Sequence, residues 1–311
     1  MVRAAQPTGL RHSALLMAQS EQSAEVEQWL AALREGLGKL GWLEGRNIHF
    51  EFRWAGFDME LMQRQAKELI ALQPDLIVAS SSPITGALIR LTQTIPIVFT
   101  NIVDPVGHGF VASLSRPGGN ATGLVNLEPS MAGKWIELLK EVTPRLARVV
   151  IPYHPASSPY ADLYLNYFNS TAPRLGVAVM TVRLADMSEF ETIAATQARE
   201  PNTGFVPLPS GFMTGHSREI GALMAQYRIP AISISRDFAV AGGLLAYGND
   251  ISDNYRRAAK FIDRILKGEK PGDLPIEFPV KFSLVVNLKT AQVLGLVVPT
   301  HLQQLADEVI E

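Results

Sequence analysis

The chain has 311 residues, enough for two α/β domains of about 120–150 residues each, and its hydrophobic (47%) and charged (19%) residues run throughout, which excludes a long disordered or low-complexity arm. A net charge of −2 without runs of like charge denies nucleic acid its electrostatic footprint, and the absence of cysteine excludes disulfides, thiolate catalysis and Cys-ligated metal. No apolar stretch reaches the roughly 18 residues of a membrane-spanning helix.

Met1 to Pro7 are too short and polar to hold the apolar core of a secretion signal. From Ser23 to Leu40 the apolar residues Val26, Trp29, Leu30, Leu33, Leu37 and Leu40 recur at helical spacing, and Gly41 closes the pattern. Ile48, Phe50, Phe52 and Trp54 then alternate with polar residues, the period of an edge strand with one wetter face. The runs Asp75 to Ala79 and Pro96 to Phe99 show no alternation and are rich in Ile and Val, as expected for parallel strands covered by helices on both faces. The rhythm continues with strands predicted over 121–125, 147–151, 177–183, 203–207, 230–234 and 243–247. Helices are predicted between them, near 130–141, 158–172, 188–199 and 213–227, and another follows near 251–267. This is a doubly wound α/β pattern.

Two stretches echo each other. Leu76-Ile77-Val78 leads to Ile95-Pro96-Ile97-Val98 and then Asp104, while Gly204-Phe205-Val206 leads to Ile229-Pro230-Ala231-Ile232 and then Asp237. Pro117-Gly118-Gly119-Asn120 punctuates the chain before an apolar strand and reads as the approach to a crossover between lobes. Gly242-Gly243 and Lys281 to Val286 mark a second and a third.

Parallel α/β sheets bind ligands beyond the carboxyl ends of their strands, so the residues there are the site candidates. After Ala79 come Ser80, Ser81, Ser82 and Pro83, with Thr85 in the first turn of a helix whose N-terminus suits a carboxylate. The same residues also serve as a plain helix cap. Asn101 and Asp104 follow the next strand and offer an amide and an acid, or a turn before Pro105. In the second half Tyr153, His154, Ser210, Arg236, Asp237 and Tyr247 hold corresponding places. Arg236 offers a fork for a ligand carboxylate or an ion pair with an acid of the protein.

Enzyme signatures fail on position. Gly107-His108-Gly109-Phe110-Val111-Ala112 matches a loose dinucleotide fingerprint but lies too far beyond its strand. There is no phosphate loop and no nucleophile elbow, and the six histidines are scattered without the spacing of a helical metal pair.

The ordered marks Gly41-Trp42-Leu43-Glu44-Gly45-Arg46-Asn47-Ile48, Ile95-Pro96-Ile97-Val98-Phe99 with Asp104-Pro105-Val106, Ser115-Arg116-Pro117-Gly118-Gly119-Asn120-Ala121-Thr122-Gly123, Ala241-Gly242-Gly243-Leu244-Leu245-Ala246-Tyr247-Gly248 and Asn287-Leu288-Lys289-Thr290-Ala291 resemble the periplasmic substrate-binding proteins of ABC transporters. Within them the resemblance is to the group whose better-known members bind aromatic amino acids. It implies a type 1 periplasmic-binding-protein fold, two Rossmann-like lobes with parallel sheets joined by three hinge crossovers. The lobes are expected over residues 10–122 plus 249–280 and residues 123–248 plus 281–311. It also implies export, with Arg3 to Pro7 near the cleavage point of a removed signal, and a periplasmic location. The chain departs from the family at His154-Pro155, where relatives usually show Asn-Pro, and in its Gln19-Ser20 loop.

The expected function is the solute-binding component of an ABC importer, a monomer whose lobes close on a small carboxylate-bearing ligand, an amino acid or an aromatic or organic acid, for an inner-membrane permease. The expected ligand contacts are Gln19, Ser20, Ser81, Ser82, Thr85, Asn101, Asp104, Asn126, Tyr153, His154, Ser210, Arg236 and Tyr247, with no cofactor, metal, catalytic residue or nucleic-acid partner. The alternatives are a periplasmic sensor lobe that signals to a receptor, and an isomerase or racemase built on Asp104 or Asp237.

Overall fold

The computed structural model describes residues 9–21, 24–126 and 128–311. In chain order the first segment holds β1 (Arg11–Met17), α1 (Ala24–Lys39), β2 (Ile48–Trp54), α2 (Met59–Ala71), β3 (Leu76–Ala79), α3 (Ser82–Leu91), β4 (Ile97–Ile102) and β5 (Ala121–Val125). Next come α4 (Met131–Val142), β6 (Arg148–Tyr153), α5 (Ala161–Thr171), β7 (Ala178–Arg183), α6 (Met187–Gln197), β8 (Thr203–Phe205), α7 (Gly211–Gly215), α8 (Ser217–Gln226), β9 (Ile232–Ser233), α9 (Arg236–Val240) and β10 (Leu245–Asn249). The chain then forms α10 (Ile251–Leu266), β11 (Phe282–Asn287), α11 (Leu288–Val293), α12 (Thr300–Leu305) and β12 (Glu308–Ile310). Two compact units emerge, residues 1–127 with 250–281 and residues 128–249 with 282–311, so the chain passes between them three times.

The first unit carries a five-stranded sheet in the order β2-β1-β3-β4-β5, every pairing parallel. Its alternate residues go to opposite faces. Leu15, Met17, Leu76, Val78 and Val98 face Trp29, Leu33, Tyr255 and Ile262 of α1 and α10. Ala14, Leu16, Ile77, Ala79, Ile97 and Phe99 face Met62, Leu69, Ile84 and Leu88 of α2 and α3. Covering both faces explains the unbroken apolar runs, each fully buried Leu, Ile or Val contributing about 1.5–3 kcal/mol. β2 is the edge strand that its alternation predicts, and its outer residues remain partly open.

In the second unit β7-β6-β8 form a parallel group and β12-β11-β10-β9 a mixed one, with a parallel bridge between Phe205 and Ala231 joining β8 to the β9 segment. The stretch read from sequence as a third crossover, Lys281 to Val286, is mostly β11, which runs antiparallel to β10 and parallel to β12. β11 and β12 thus run opposite to β9 and β10, the reversal arising because β11 follows α10, which belongs to the first unit, and re-enters the second unit without a crossover helix of its own. The helix predicted over 213–227 is two helices, α7 and α8, broken at His216.

Candidate functional site

β1, β3, β4 and β5 are consecutive and parallel, so their carboxyl ends share one edge of the first unit. At about 4.8 Å per strand the four ends form a row roughly 15 Å long. Backbone and hydroxyl bonds stitch the row together. Ala18 N–H donates to Ser80 Oγ at 2.8 Å, Val103 N–H to Ser82 Oγ at 3.3 Å, and Asn126 N–H to Ile102 O at 2.7 Å.

β4 does not end cleanly. Phe99 pairs with Gly123 and Ile102 with Val125, three steps along β4 against two along β5, so β4 carries one extra residue. This bulge puts Asn101 at φ +54°, a left-handed conformation that Asn adopts more readily than most residues. It also brings Phe99 so close to β5 that a Cβ on Gly123, itself at φ +146°, would lie 2.0 Å from Phe99 O. Bulges re-aim side chains. Here both polar atoms of the Asn101 side chain, Oδ1 and Nδ2, are buried without a hydrogen-bond partner, as are Gln19 Oε1 beyond β1 and Asn126 Oδ1 beyond β5. Each such group costs about 1–3 kcal/mol when left unpaired. Three amides in this condition, all at the edge where parallel α/β sheets receive ligands, make the row the binding-site candidate.

The neighbouring hydroxyls have internal duties. Ser81 caps α3, its Oγ accepting from Ile84 N–H at 3.4 Å, and Thr85 Oγ1 donates to Ser81 O at 2.8 Å. Asp104, at φ +45°, accepts from Gly107 N–H at 2.9 Å and closes its own turn. Ser20 is exposed beside half-buried Gln19.

In the second unit β6 ends at Tyr153, and the His154 ring that follows stacks on Phe212 of α7, with centroids 4.5 Å apart and planes 15° apart. His216 lies against the same Phe212 at 4.5 Å. Ser210 caps α7 through Met213 N–H at 3.3 Å. Arg236 does use its fork, but on the protein: Nε and Nη2 bind the Glu308 carboxylate at 2.6 and 2.7 Å. Asp237 pairs with Arg218 at 2.7 Å. Tyr247 lies two residues short of the end of β10, its ring stacked on Phe282 at 5.9 Å and its carbonyl accepting from Trp135 Nε1 at 2.8 Å. Burial, aided by the Asp307 charge, raises its phenol above the ordinary range.

The structure thus gathers Gln19, Ser20, Ser81, Ser82, Thr85, Asn101, Asp104 and Asn126 at one edge of the first unit. It gathers Tyr153, His154 and Ser210 at the strand ends of the second and leaves Arg236 and Tyr247 engaged elsewhere. Sequence reasoning missed Phe212, and it missed Asn249 at the true end of β10, where Nδ2 is buried without a partner. It also missed the bulge, whose one sequence trace is Gly123. Among the described residues no three His, Asp or Glu lie close enough together to hold a metal ion, and no helix is long and apolar enough to cross a membrane.

Several solved structures share this fold. A conserved domain protein from Vibrio cholerae superposes with a TM-score of 0.86 at 23% identity, covering 97% of this chain and 100% of that one. An ABC domain in complex with L-Trp from Streptococcus pneumoniae superposes with a TM-score of 0.87 at 22% identity, with the same coverage. In sequence, a tyrosine-binding protein of Clostridioides difficile strain R20291 is 25% identical over 256 residues, 82% of this chain and 73% of that protein. The family model described as ABC transporter substrate binding protein matches residues 24–310. With nearly the whole chain matched and the two-unit α/β fold in place, the protein belongs to the ABC transporter substrate binding protein family.

Proposed function

We propose that the chain is the periplasmic solute-binding component of an ABC importer, that it acts as a monomer, and that it captures a small carboxylate-bearing molecule, an amino acid or an aromatic acid, for an inner-membrane permease. The observation that carries the reading is Asn101. A bulge and a left-handed backbone hold this amide at the strand-end edge with neither polar atom satisfied, an arrangement that costs stability unless a ligand completes it.

Gln19 and Asn126 flank it with further unpaired amide oxygens, and the α3 N-terminus beside Ser81, Ser82 and Thr85 favours an anionic group. In the second unit Tyr153 and the stacked His154 are the candidate contacts for a ring, and Ser210 offers a hydroxyl. The ligands named for the relatives, tyrosine and L-Trp, fit a zwitterion with an aromatic side chain. No bond is made or broken. Binding works by stabilising one conformation over another through contacts that only that conformation makes, and the permease reads the result.

Native mass spectrometry of the purified protein tests this, followed by denaturation, identification of the released molecule, and calorimetric titration with L-tyrosine and L-tryptophan. One unmodified amino acid or aromatic acid per chain, raising the melting temperature when added back, is the expected result. Release of a substrate and product mixture, or conversion of the added compound, overturns it in favour of an enzyme.

A further inference from the structure

The binding edge of the first unit is held from below by a helix the sequence reading never connected to it. Tyr255 of α10 is completely buried, and its ring stacks on Trp29 of α1 with centroids 5.7 Å apart and planes 12° apart. That stack fixes where the hydroxyl points. It donates to Met17 Sδ, the last residue of β1, at 3.4 Å. The hydroxyls of Ser80, just past β3, and Thr100, inside the β4 bulge, lie near enough to favour its ionised form, and Thr100 Oγ1 is itself buried without a hydrogen-bond partner. Burial raises the phenol strongly, while Thr100 and Ser80 pull in the opposite direction, so the group is a neutral O–H set among three strand ends.

The residue before it reaches the fourth. Asn254, also buried, donates from Nδ2 to Val125 O at 3.2 Å, at the end of β5 and one residue before Asn126. Two consecutive side chains of one helix therefore hydrogen-bond at the ends of β1 and β5 and lie beside the ends of β3 and β4. Their targets lie next to the residues at the edge: Ser80 precedes the Ser81 cap and holds Ala18, Thr100 precedes Asn101, and Val125 precedes Asn126.

We propose that Tyr255, assisted by Asn254, is the positioning residue of the binding site, setting the Thr100-Asn101 bulge and the neighbouring strand ends in the geometry that meets the ligand. Tyr255 touches no ligand itself, and its contribution to affinity passes through Asn101. The proposal rests on the strand-end edge being the ligand site, but its structural half can be measured without any ligand.

The test compares Tyr255→Phe, which keeps the ring and its stack on Trp29, with Ile262→Val, which trims a purely apolar side chain of the same core two turns further along α10. Hydrogen exchange on the ligand-free proteins is followed in peptides covering residues 97–106 and 121–127, and L-tyrosine binding is measured by calorimetry. Tyr255→Phe is expected to speed exchange in those two peptides and to weaken L-tyrosine binding about tenfold. Ile262→Val is expected to leave the peptides unchanged and binding within about twofold. Unaltered exchange in Tyr255→Phe, or a change that Ile262→Val reproduces, overturns the positioning role. If the wild-type protein ignores both L-tyrosine and L-tryptophan, the ligand reading fails, while the exchange comparison still decides the role of Tyr255.

Discussion

Replacing Gly123 by alanine should be among the most damaging single-methyl changes available in the first unit. The new Cβ would sit 2.0 Å from Phe99 O and 2.8 Å from Phe99 N, so the strands must part by at least about 1 Å to reach the tightest real contacts. Phe99 is fully buried and has no free direction in which to move, and forced repacking of such a core costs about 1–3 kcal/mol. The backbone adds to this, since φ +146° is open to glycine but strains alanine by another 1–3 kcal/mol or so. A total near 4 kcal/mol corresponds to a drop in melting temperature of roughly 8–16 °C for a unit of this size. Differential scanning calorimetry reads that loss directly, and L-tyrosine titration well below the transition should show binding impaired as well, because the bulge that aims Asn101 is what shifts. A variant that melts within about 2 °C of wild type and binds normally would refute the argument that this glycine is required by the bulge.

Asn101→Gly preserves the left-handed backbone and deletes the amide, so it should weaken L-tyrosine binding about tenfold or more while leaving the ligand-free melting temperature no lower than that of the wild type, because relief of two unpaired buried atoms offsets the backbone entropy of glycine; equal loss of both would mean the residue is merely structural. Arg236→Ala breaks a fork to Glu308 on an exposed surface, so calorimetry should find ligand affinity unchanged and stability altered by less than about 1 kcal/mol. A large affinity loss would return Arg236 to the site. The Lys281 ammonium is raised by its hydrogen bond to Asp250, so its contribution to folding is fully present below the ordinary lysine value and is lost as pH climbs through the raised one. Asp250→Asn keeps an N-cap for α10 and should flatten that alkaline decline in a series of denaturation curves. An unchanged alkaline limb would remove the pair from the account.

What could be read from the sequence was whatever depends on neighbours along the chain. Leu76-Ile77-Val78-Ala79 announces a strand buried on both faces, Ile48 to Trp54 an edge, and Ser81-Ser82-Pro83 a helix start, because pattern and capping act over a few residues. The bulge was not legible, since an extra residue in β4 exists only relative to the register of β5 some twenty residues later. Arg236 was rightly seen as a fork, but its acid lies 72 positions away on β12. The sequence analysis placed a helix near 251–267 and gave Tyr255 no part in the site. What sets it apart is where its hydroxyl ends, which depends on β1, β3 and β4 arriving side by side.

The discontinuity of the first unit also sets an order of events during synthesis. The face of its sheet formed by Leu15, Met17, Leu76 and Val78 is covered jointly by α1 and α10, which pack so closely that a Cβ on Gly36 would lie 2.4 Å from Arg256 O. α10 leaves the ribosome only after the whole of residues 128–249, a delay on the order of ten seconds at ordinary elongation rates. For that interval the nascent amino-terminal half lacks the helix that completes the cover of this apolar face, a natural window for a holding chaperone and for any machinery that requires the polypeptide still unfolded.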